Sequence, residues 1–467
     1  YERQRLLIEP LTFMMERGIK TDIQCMHNEY LKLGEELKKI RWQLEKICGD
    51  GFNPMSSQAC YGWFHGKLHL KPYKKKGAGG KMVNSYDDTA MKRLIRKGYE
   101  EATLIQKYKK INKQRSNYLN ITKVDTDGRY RCAFNPVGTA YSRLASKKNI
   151  FGTGSNLQNW PKILRRFLLI DEGYVGYAID LSQAENRIVA YEGRVTPMIQ
   201  AFETGQDVHT LTAKLLMSIM LGPEEAIATD VLTKAPMCNY SYTWRDWGKK
   251  ANHGFNYDWG FKAFALKNEI VEKEGRAIYD GYHSIYPGVQ NRYHKDIKNE
   301  LKKTRTIVNL LGRKSLFLGD LNDTTFKAAY SCKPQGTVGE IINEYGLEYI
   351  YYEDTFDPIE LLLQVHDEII FQIPLNDSCT FDDHARMLRL VLNNLEPELT
   401  TTHGVNFTIP ADLTMMKNLF VKGDKEKGIP AGGKDVDMTD EDREDLPKFA
   451  SILKSTWGKI NGEKEAG

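Results

Sequence analysis

Two stretches of this chain each bring a carboxylate to the end of an apolar run. In Val175-Gly-Tyr-Ala-Ile-Asp180-Leu-Ser-Gln-Ala-Glu185-Asn-Arg187 the first half suits a buried strand that ends at Asp180. Ile188 and Val189 then fall three to four residues beyond Glu185, as at the start of a helix. Residues 361–373 read Leu-Leu-Leu-Gln364-Val-His366-Asp367-Glu368-Ile-Ile-Phe-Gln-Ile. Here two apolar runs flank a polar step with no Gly, Pro or Asn to mark an ordinary hairpin turn. Two strands would set Asp180 and Asp367 side by side, where they repel unless cations sit between them. Paired carboxylates from distant segments are what a two-metal phosphoryl-transfer site requires.

A second constellation lies on one predicted helix. Arg245, Lys249, His253 and Tyr257 recur every four residues, a stripe that drifts only about 40° per step. Two cations followed by two rings match a nucleoside triphosphate laid along the helix. Phosphates would meet Arg245 and Lys249, and sugar and base would meet His253 and Tyr257. Gly248 and Gly254 each cost the helix about 1 kcal/mol relative to Ala, so close approach or movement is expected there.

At these residues the chain resembles the family A DNA polymerases, the group typified by bacterial DNA polymerase I. Asp180-Leu-Ser-Gln-Ala-Glu185-Asn-Arg187 is similar to that family's motif A, and Gln364-Val-His-Asp-Glu368 to its motif C. Arg245-Asp-Trp-Gly-Lys249-Lys-Ala-Asn252-His-Gly254-Phe-Asn-Tyr257 is similar to motif B, and the three stand in the family's order. The Lys333-Pro-Gln-Gly-Thr-Val338 run looks more phage-like than bacterial.

The resemblance covers about residues 1–420 and implies an α+β right-hand fold with an antiparallel palm sheet, helical fingers and a helical thumb. The expected division is thumb 1–123, palm 124–190 and 328–420, fingers 191–327, and a loosely ordered acidic tail 421–467 with one short helix near Phe449–Leu453. The implied reaction is DNA-directed DNA synthesis: a primer 3′-hydroxyl attacks a dNTP and releases pyrophosphate. Asp180 and Asp367, with the Leu181 carbonyl, would hold two Mg²⁺ ions, for which Mn²⁺ can substitute. Glu368 lies beside them, and Lys249 is the implied general acid. Gln183, Glu185 and His209 join the motif B stripe as nucleotide contacts, Glu185 blocking a ribose 2′-hydroxyl. His253 stands where the family usually has Phe or Tyr against the sugar, and titrates near neutrality when unperturbed.

Primer–template contacts are implied for Arg143, Gln158, Asn159, Gln335 and His366, and for Asn53 and the Lys74-Lys75-Lys76 tip of the thumb, which reads as a mobile basic loop. Asp125-Thr-Asp-Gly128 is a predicted hairpin. The chain departs from the family at Ser142, usually Gly, and in a longer link over Lys147–Ser155.

Composition bounds these readings. The 467 residues exceed one small core, and mean hydropathy of −0.51 indicates a globular protein without a membrane span. Seven Cys, an odd number with no Cys-x-x-Cys pair, fit a reducing interior better than a disulfide framework or zinc site. An intracellular, cytoplasmic setting in a bacterial cell or a phage-infected host follows. Net charge is +5, yet residues 435–445 carry seven acids and one base, leaving +11 on the rest; a basic body suits a polyanionic partner. The opening Tyr1-Glu-Arg-Gln-Arg reads as the cut end of something longer. A proofreading nuclease domain, if the parent has one, would lie upstream, and a processivity factor is a further possible partner. The rival readings are a single-subunit RNA polymerase-like enzyme and a non-catalytic primer–template-binding module.

Overall fold

The computed structural model describes residues 2–77, 81–139, 141–236, 242–419, 421–423 and 429–462. Its centre is an antiparallel sheet built from β1 (Tyr174–Leu181), β2 (Glu360–Val365), β3 (Glu368–Pro374), β4 (Ala411–Met416) and β5 (Gly433–Asp435). The strands lie in the order β2-β3-β1-β4-β5. Alternation along β1 divides its residues between two faces. Val175, Tyr177 and Ile179 stand opposite Ile373, Phe371 and Ile369 of β3, all buried. This apolar face meets helices from 341–348 and 381–395; a Cβ on Gly346 would lie 2.2 Å from Ile369 Cδ1. Tyr177 donates its hydroxyl to His384 Nδ1 at 2.8 Å, and His384 Nε2 lies 2.9 Å from the Pro374 carbonyl, so both buried polar groups are satisfied. The opposite face carries Gly176, Ala178 and Asp180.

Helical elements flank the sheet. Ile23–Cys48 buries Met26, Leu33, Leu37, Ile40 and Leu44 at helical spacing against Glu100–Asn117 and is capped by Asp22, which accepts from Cys25 N at 2.9 Å. Four further helices matter for the cleft: α1 (Ala184–Glu192), α2 (Val208–Leu221), α3 (Trp244–Asn256) and α4 (Asp323–Glu340). Among the described residues no helix is long and apolar enough to cross a membrane, and the six cysteines there are free. The expected hairpin at Asp125–Gly128 forms, with Gly128 N donating to the Asp125 carbonyl at 3.0 Å.

Three expectations need correction. Residues 8–21, expected with the helices that follow, pack on strands instead. Ile19–Thr21 pairs with Arg129–Tyr130 and Leu168–Leu169, and Arg17 bonds Glu360 and lies 2.7 Å from Asp171, because a half-buried guanidinium needs carboxylate partners. Lys74–Lys76 is a strand paired with Met82–Asn84, not a loop; charged residues along a two-stranded ribbon protect its open edges.

The described part of the C-terminal stretch is not loose either. β5 extends the central sheet, and helix Leu446–Asn461 buries Phe449, Ala450 and Leu453 against helix Phe381–Leu395. The acids have local work there. Asp442 closes a capping box with Thr439, Asp445 caps the last helix, and Arg443 donates to Glu396 at 3.1 and 3.0 Å. Acidity at helix N-termini is stabilising, which the composition alone misstates as disorder.

Candidate active site

Register places the acids. Asp180 at the end of β1 is directly opposite Glu368 of β3 on one side and Asp412 of β4 on the other. Directly opposed residues share a face, so the three form a row across the sheet. Asp367 comes from the step between β2 and β3, which is a two-residue turn: Val365 pairs with Glu368, and His366 adopts φ +59°. A non-glycine residue rarely takes that conformation. Leu181 N donates to the Asp367 carbonyl at 3.1 Å and holds the turn against β1. Gln158 Nε2 donates to Gln364 Oε1 at 2.9 Å, and Gln364 Nε2 to the His366 carbonyl at 2.6 Å. A buried amide pair thus buttresses the turn. Gln183 also stands at positive φ, +51°, at the start of α1.

The acids crowd one another. Burial first, then Asp367, Glu368 and Asp412, push the Asp180 carboxyl up to about 8, against the pull of Lys249. Asp367 is raised by burial and then Glu185, while its backbone hydrogen bond and Arg143 oppose the rise. Glu368 is raised by burial, opposed by Arg165 at 3.8 Å, and Asp412 by burial against a hydrogen bond to Ser182. Repulsion and desolvation disfavour the charged forms, and hard cations would restore them. Among the described residues no group of three or more His, Cys, Asp or Glu is arranged to hold a metal ion. The available donors are two aspartates and backbone oxygen, a set that suits an ion keeping water and substrate ligands.

Across the cleft lies α3, capped by a Thr243–Asp246 box. Trp244, Trp247, Ala251 and Phe255 are buried on one side, while Arg245, Lys249 and His253 face the cleft. Gly248 explains how closely the helix can lie: a Cβ there would be 2.2 Å from the His209 carbonyl of α2. Close approach is therefore its role, whereas at Gly254 a Cβ would only be tightly packed, 3.1 Å from the Trp259 ring. Arg245 Nε donates to Asp207 Oδ2 at 2.6 Å. Burial would raise the Asp207 carboxyl, but bonds from Arg245 and Thr210 outweigh it and hold it low.

His209 is pushed down to about 4 by burial first. Asn252 Nδ2 lies 3.1 Å from its Nδ1 while Asn252 Oδ1 accepts from Thr212, so the amide donates and the neutral ring keeps its proton on Nε2. Glu185 is clamped by Arg143 and the Tyr257 hydroxyl, with His253 Nδ1 at 4.0 Å. The His253 ring is also held below its ordinary range, by desolvation in the cleft first and against Glu185. Its titration therefore falls below neutrality, which corrects the value read from an unperturbed ring.

One cavity of about 730 Å³ collects most of the expected residues: Asp180, Leu181, Gln183, Glu185, His209, Arg245, Lys249, His253, Asp367, and Arg143, Gln335 and His366. Glu368 lines instead an adjoining cavity of about 600 Å³ with Asp180, Lys249 and Arg165. Tyr257 is buried and reaches the site through Glu185. Gln158 is buried and donates its amide to Gln364, so within the protein it positions the turn. Asn159 is exposed at the end of the short helix Leu157–Asn159. Asn53 Oδ1 accepts from Met55 N at 3.0 Å, and Lys74 and Lys75 are exposed on the two-stranded ribbon and do not line the cavity; the Lys76 side chain lies outside the described residues.

The sequence reading missed Asp412, Asp207, Asn252 and the Gln364 relay. Asp207 and Asn252 gave only the signals of a helix cap and a buried polar residue, and only strand register reveals Asp412.

Comparison with known proteins agrees with this geometry. The family model of DNA polymerase family A matches residues 24–410. DNA polymerase I of Bacillus caldotenax is 26% identical over 425 residues, covering 85% of this chain and 44% of that protein. The thermostable DNA polymerase I of Thermus aquaticus is 24% identical over 414 residues, covering 85% and 46%. The chain thus spans less than half the length of these relatives. A solved structure of the POL domain of Pol1 from M. smegmatis, in complex with DNA primer-template and dNTP, superposes with a TM-score of 0.72 at 20% identity, covering 89% of this chain and 70% of that one. The fold is thereby a palm, fingers and thumb.

Proposed function

Because this chain belongs to DNA polymerase family A, we propose that it extends a DNA primer along a template, adding dNTPs by phosphoryl transfer and releasing pyrophosphate. The single observation that supports this most is the shared cavity in which Asp180 and Asp367 face the Arg245–Lys249–His253 stripe. Acids on a rigid sheet end and cations on a facing helix are the two halves of a nucleotidyl-transfer site.

Asp180, Asp367 and the Leu181 carbonyl are the hard oxygen donors that would hold two Mg²⁺ or Mn²⁺ ions, which supply activation of the 3′-hydroxyl and neutralisation of the leaving group. Arg245, Lys249 and the Nε2–H of His209 bind the triphosphate. Arg245 exchanges Asp207 for a phosphate, or shares both. Lys249, exposed at the cavity wall, gives a proton to the departing pyrophosphate. Glu185, immobilised by Arg143 and Tyr257, occupies the space a ribose 2′-hydroxyl would need, and this supports dNTP use over the RNA polymerase alternative. Gln335 and His366 meet the primer–template at the cavity mouth.

The test is single-nucleotide incorporation on a defined primer–template. Wild-type protein should incorporate dNTP in preference to rNTP with Mg²⁺ or Mn²⁺ present, and Glu185→Ala should narrow that preference. Failure of the wild type to extend the primer would sink the proposal, and an unmoved ratio in the mutant would remove Glu185 from the gate.

A further inference from the structure

Between Arg143 and Asn159 the chain makes a loop that no step of the proposed reaction uses. Its tip is Ile150-Phe151, with 88% and 84% of their surface exposed. Among the described residues, only Ile227 and Leu318 are comparably open large hydrophobics, and none of these four but Ile150 and Phe151 are adjacent in sequence. Such a pair on a frayed loop would mean nothing, but this loop is built. Gly152 N donates to the Asn149 carbonyl at 3.2 Å, and Asn149 N to the Thr153 carbonyl at 3.1 Å. Asn149 Oδ1 accepts from Thr153 N at 3.0 Å, and Thr153 Oγ1 donates to Asp125 Oδ1 at 2.5 Å. Gly154, at φ +68°, sits so close to the Arg131 carbonyl that a Cβ would be 1.9 Å away.

The tip also has a defined place. Gly154 N donates to the Lys123 carbonyl at 2.8 Å, and Tyr118 at the end of the second thumb helix donates to the Asn159 carbonyl at 3.3 Å. The loop therefore stands at the root of the thumb, where thumb meets palm. Lys147 and Lys148 precede the tip, both exposed. An apolar point flanked by cations, continuous in sequence with Arg143 and Asn159, has the chemistry of a minor-groove wedge: apolar groups between sugars and base edges, cations on the adjoining phosphates.

We propose that Ile150 and Phe151 enter the minor groove of the primer–template duplex behind the primer end, with Lys147 and Lys148 on the flanking phosphates. This rests on the polymerase reading, which wild-type extension tests by itself. The experiment uses the full chain, a fluorescent hairpin primer–template and a range of salt. Ile150→Ser/Phe151→Ser should weaken duplex binding about tenfold with an unchanged salt slope, and shorten the products made in one binding event. Lys147→Ala/Lys148→Ala should reduce the slope of log Kd against log salt by about two, roughly one per phosphate released. Circular dichroism and melting identical to wild type would show that both variants fold. Duplex affinity within twofold of wild type for Ile150→Ser/Phe151→Ser overturns the proposal. So does an equal loss on single-stranded DNA, or an effect confined to self-association or to binding another protein. Wild-type protein that neither binds nor extends the duplex overturns the polymerase reading, and the wedge with it.

Discussion

The two walls of the cleft are built on different principles. The acidic wall is the end of a sheet, where hydrogen-bond register sets Asp180 opposite Glu368 and Asp412 and a positive-φ turn delivers Asp367. Its groups repel one another and are fixed by backbone, with Asp180 and Asp412 open to the cleft. The cationic wall is a helix face, where Arg245, Lys249 and His253 are side chains reaching from a cylinder packed tightly behind. Its groups are carried on side chains free to turn, and Arg245 already has a partner in Asp207. The sheet stores the strain of unpaired acids, which incoming cations relieve; the helix stores reach. Acids of this kind should therefore be intolerant of change, and the cations graded.

The largest effect tests that directly. Asp180→Asn or Asp367→Asn should lower single-nucleotide incorporation by more than about a thousandfold, over 4 kcal/mol of transition-state stabilisation, while primer–template affinity moves less than about threefold. Appreciable incorporation by either mutant would show that the acidic wall is not the reacting side. Next, Lys249→Met should cost about a hundredfold in kcat, the range of a single proton donor or charge, with KM for dNTP rising less. A rise in KM alone would make Lys249 a binding group only.

The crowded acids also predict a pH dependence without metal. Asp180 is raised to about 8 from the 3.8 of an unfolded chain. The folded state then binds more protons than the unfolded one between those limits, so metal-free stability should fall as pH rises from about 4 to 8. Asp180→Asn should raise metal-free stability more at pH 8 than at pH 4. Chemical denaturation in chelator at both pH values measures this. Equal gains at the two pH values would separate the effect from ionisation.

Ser142 offers a smaller test next to the same wall. It is buried at φ +65°, a conformation that favours Gly. Ser142→Gly should stabilise the protein by about 1 kcal/mol, read as a shift in denaturation midpoint; destabilisation would mean the hydroxyl outweighs the strain. The smallest effect belongs to the helix wall. Discrimination between ddNTP and dNTP should be weaker than in His253→Phe and stronger than in His253→Tyr, because imidazole keeps an N–H donor but is shorter than phenol. Since the ring is held below its ordinary range, the ratio should change only on acidification. Identical ratios in all three proteins would take His253 away from the sugar.

Much of this was legible in the residues. Asp180 and Asp367 at the ends of apolar runs, and the four-residue stripe from Arg245, needed only strand and helix periodicity to be set on one strand end, one turn and one helix face. Local pattern suffices where the backbone repeat itself aims the side chain. Tertiary structure decided what depends on partners far along the chain. Register put Asp412 beside Asp180 across more than two hundred residues, and burial spent the Gln158 amide on Gln364. Residues 8–21 joined distant strands because Ile19–Thr21 and Arg17 found partners there, and the acidic C-terminal run became capped helices because Phe449 and Leu453 had a helix to bury against. Composition records charge and polarity but not the partner that neutralises or desolvates them, and that partner is supplied only by the fold.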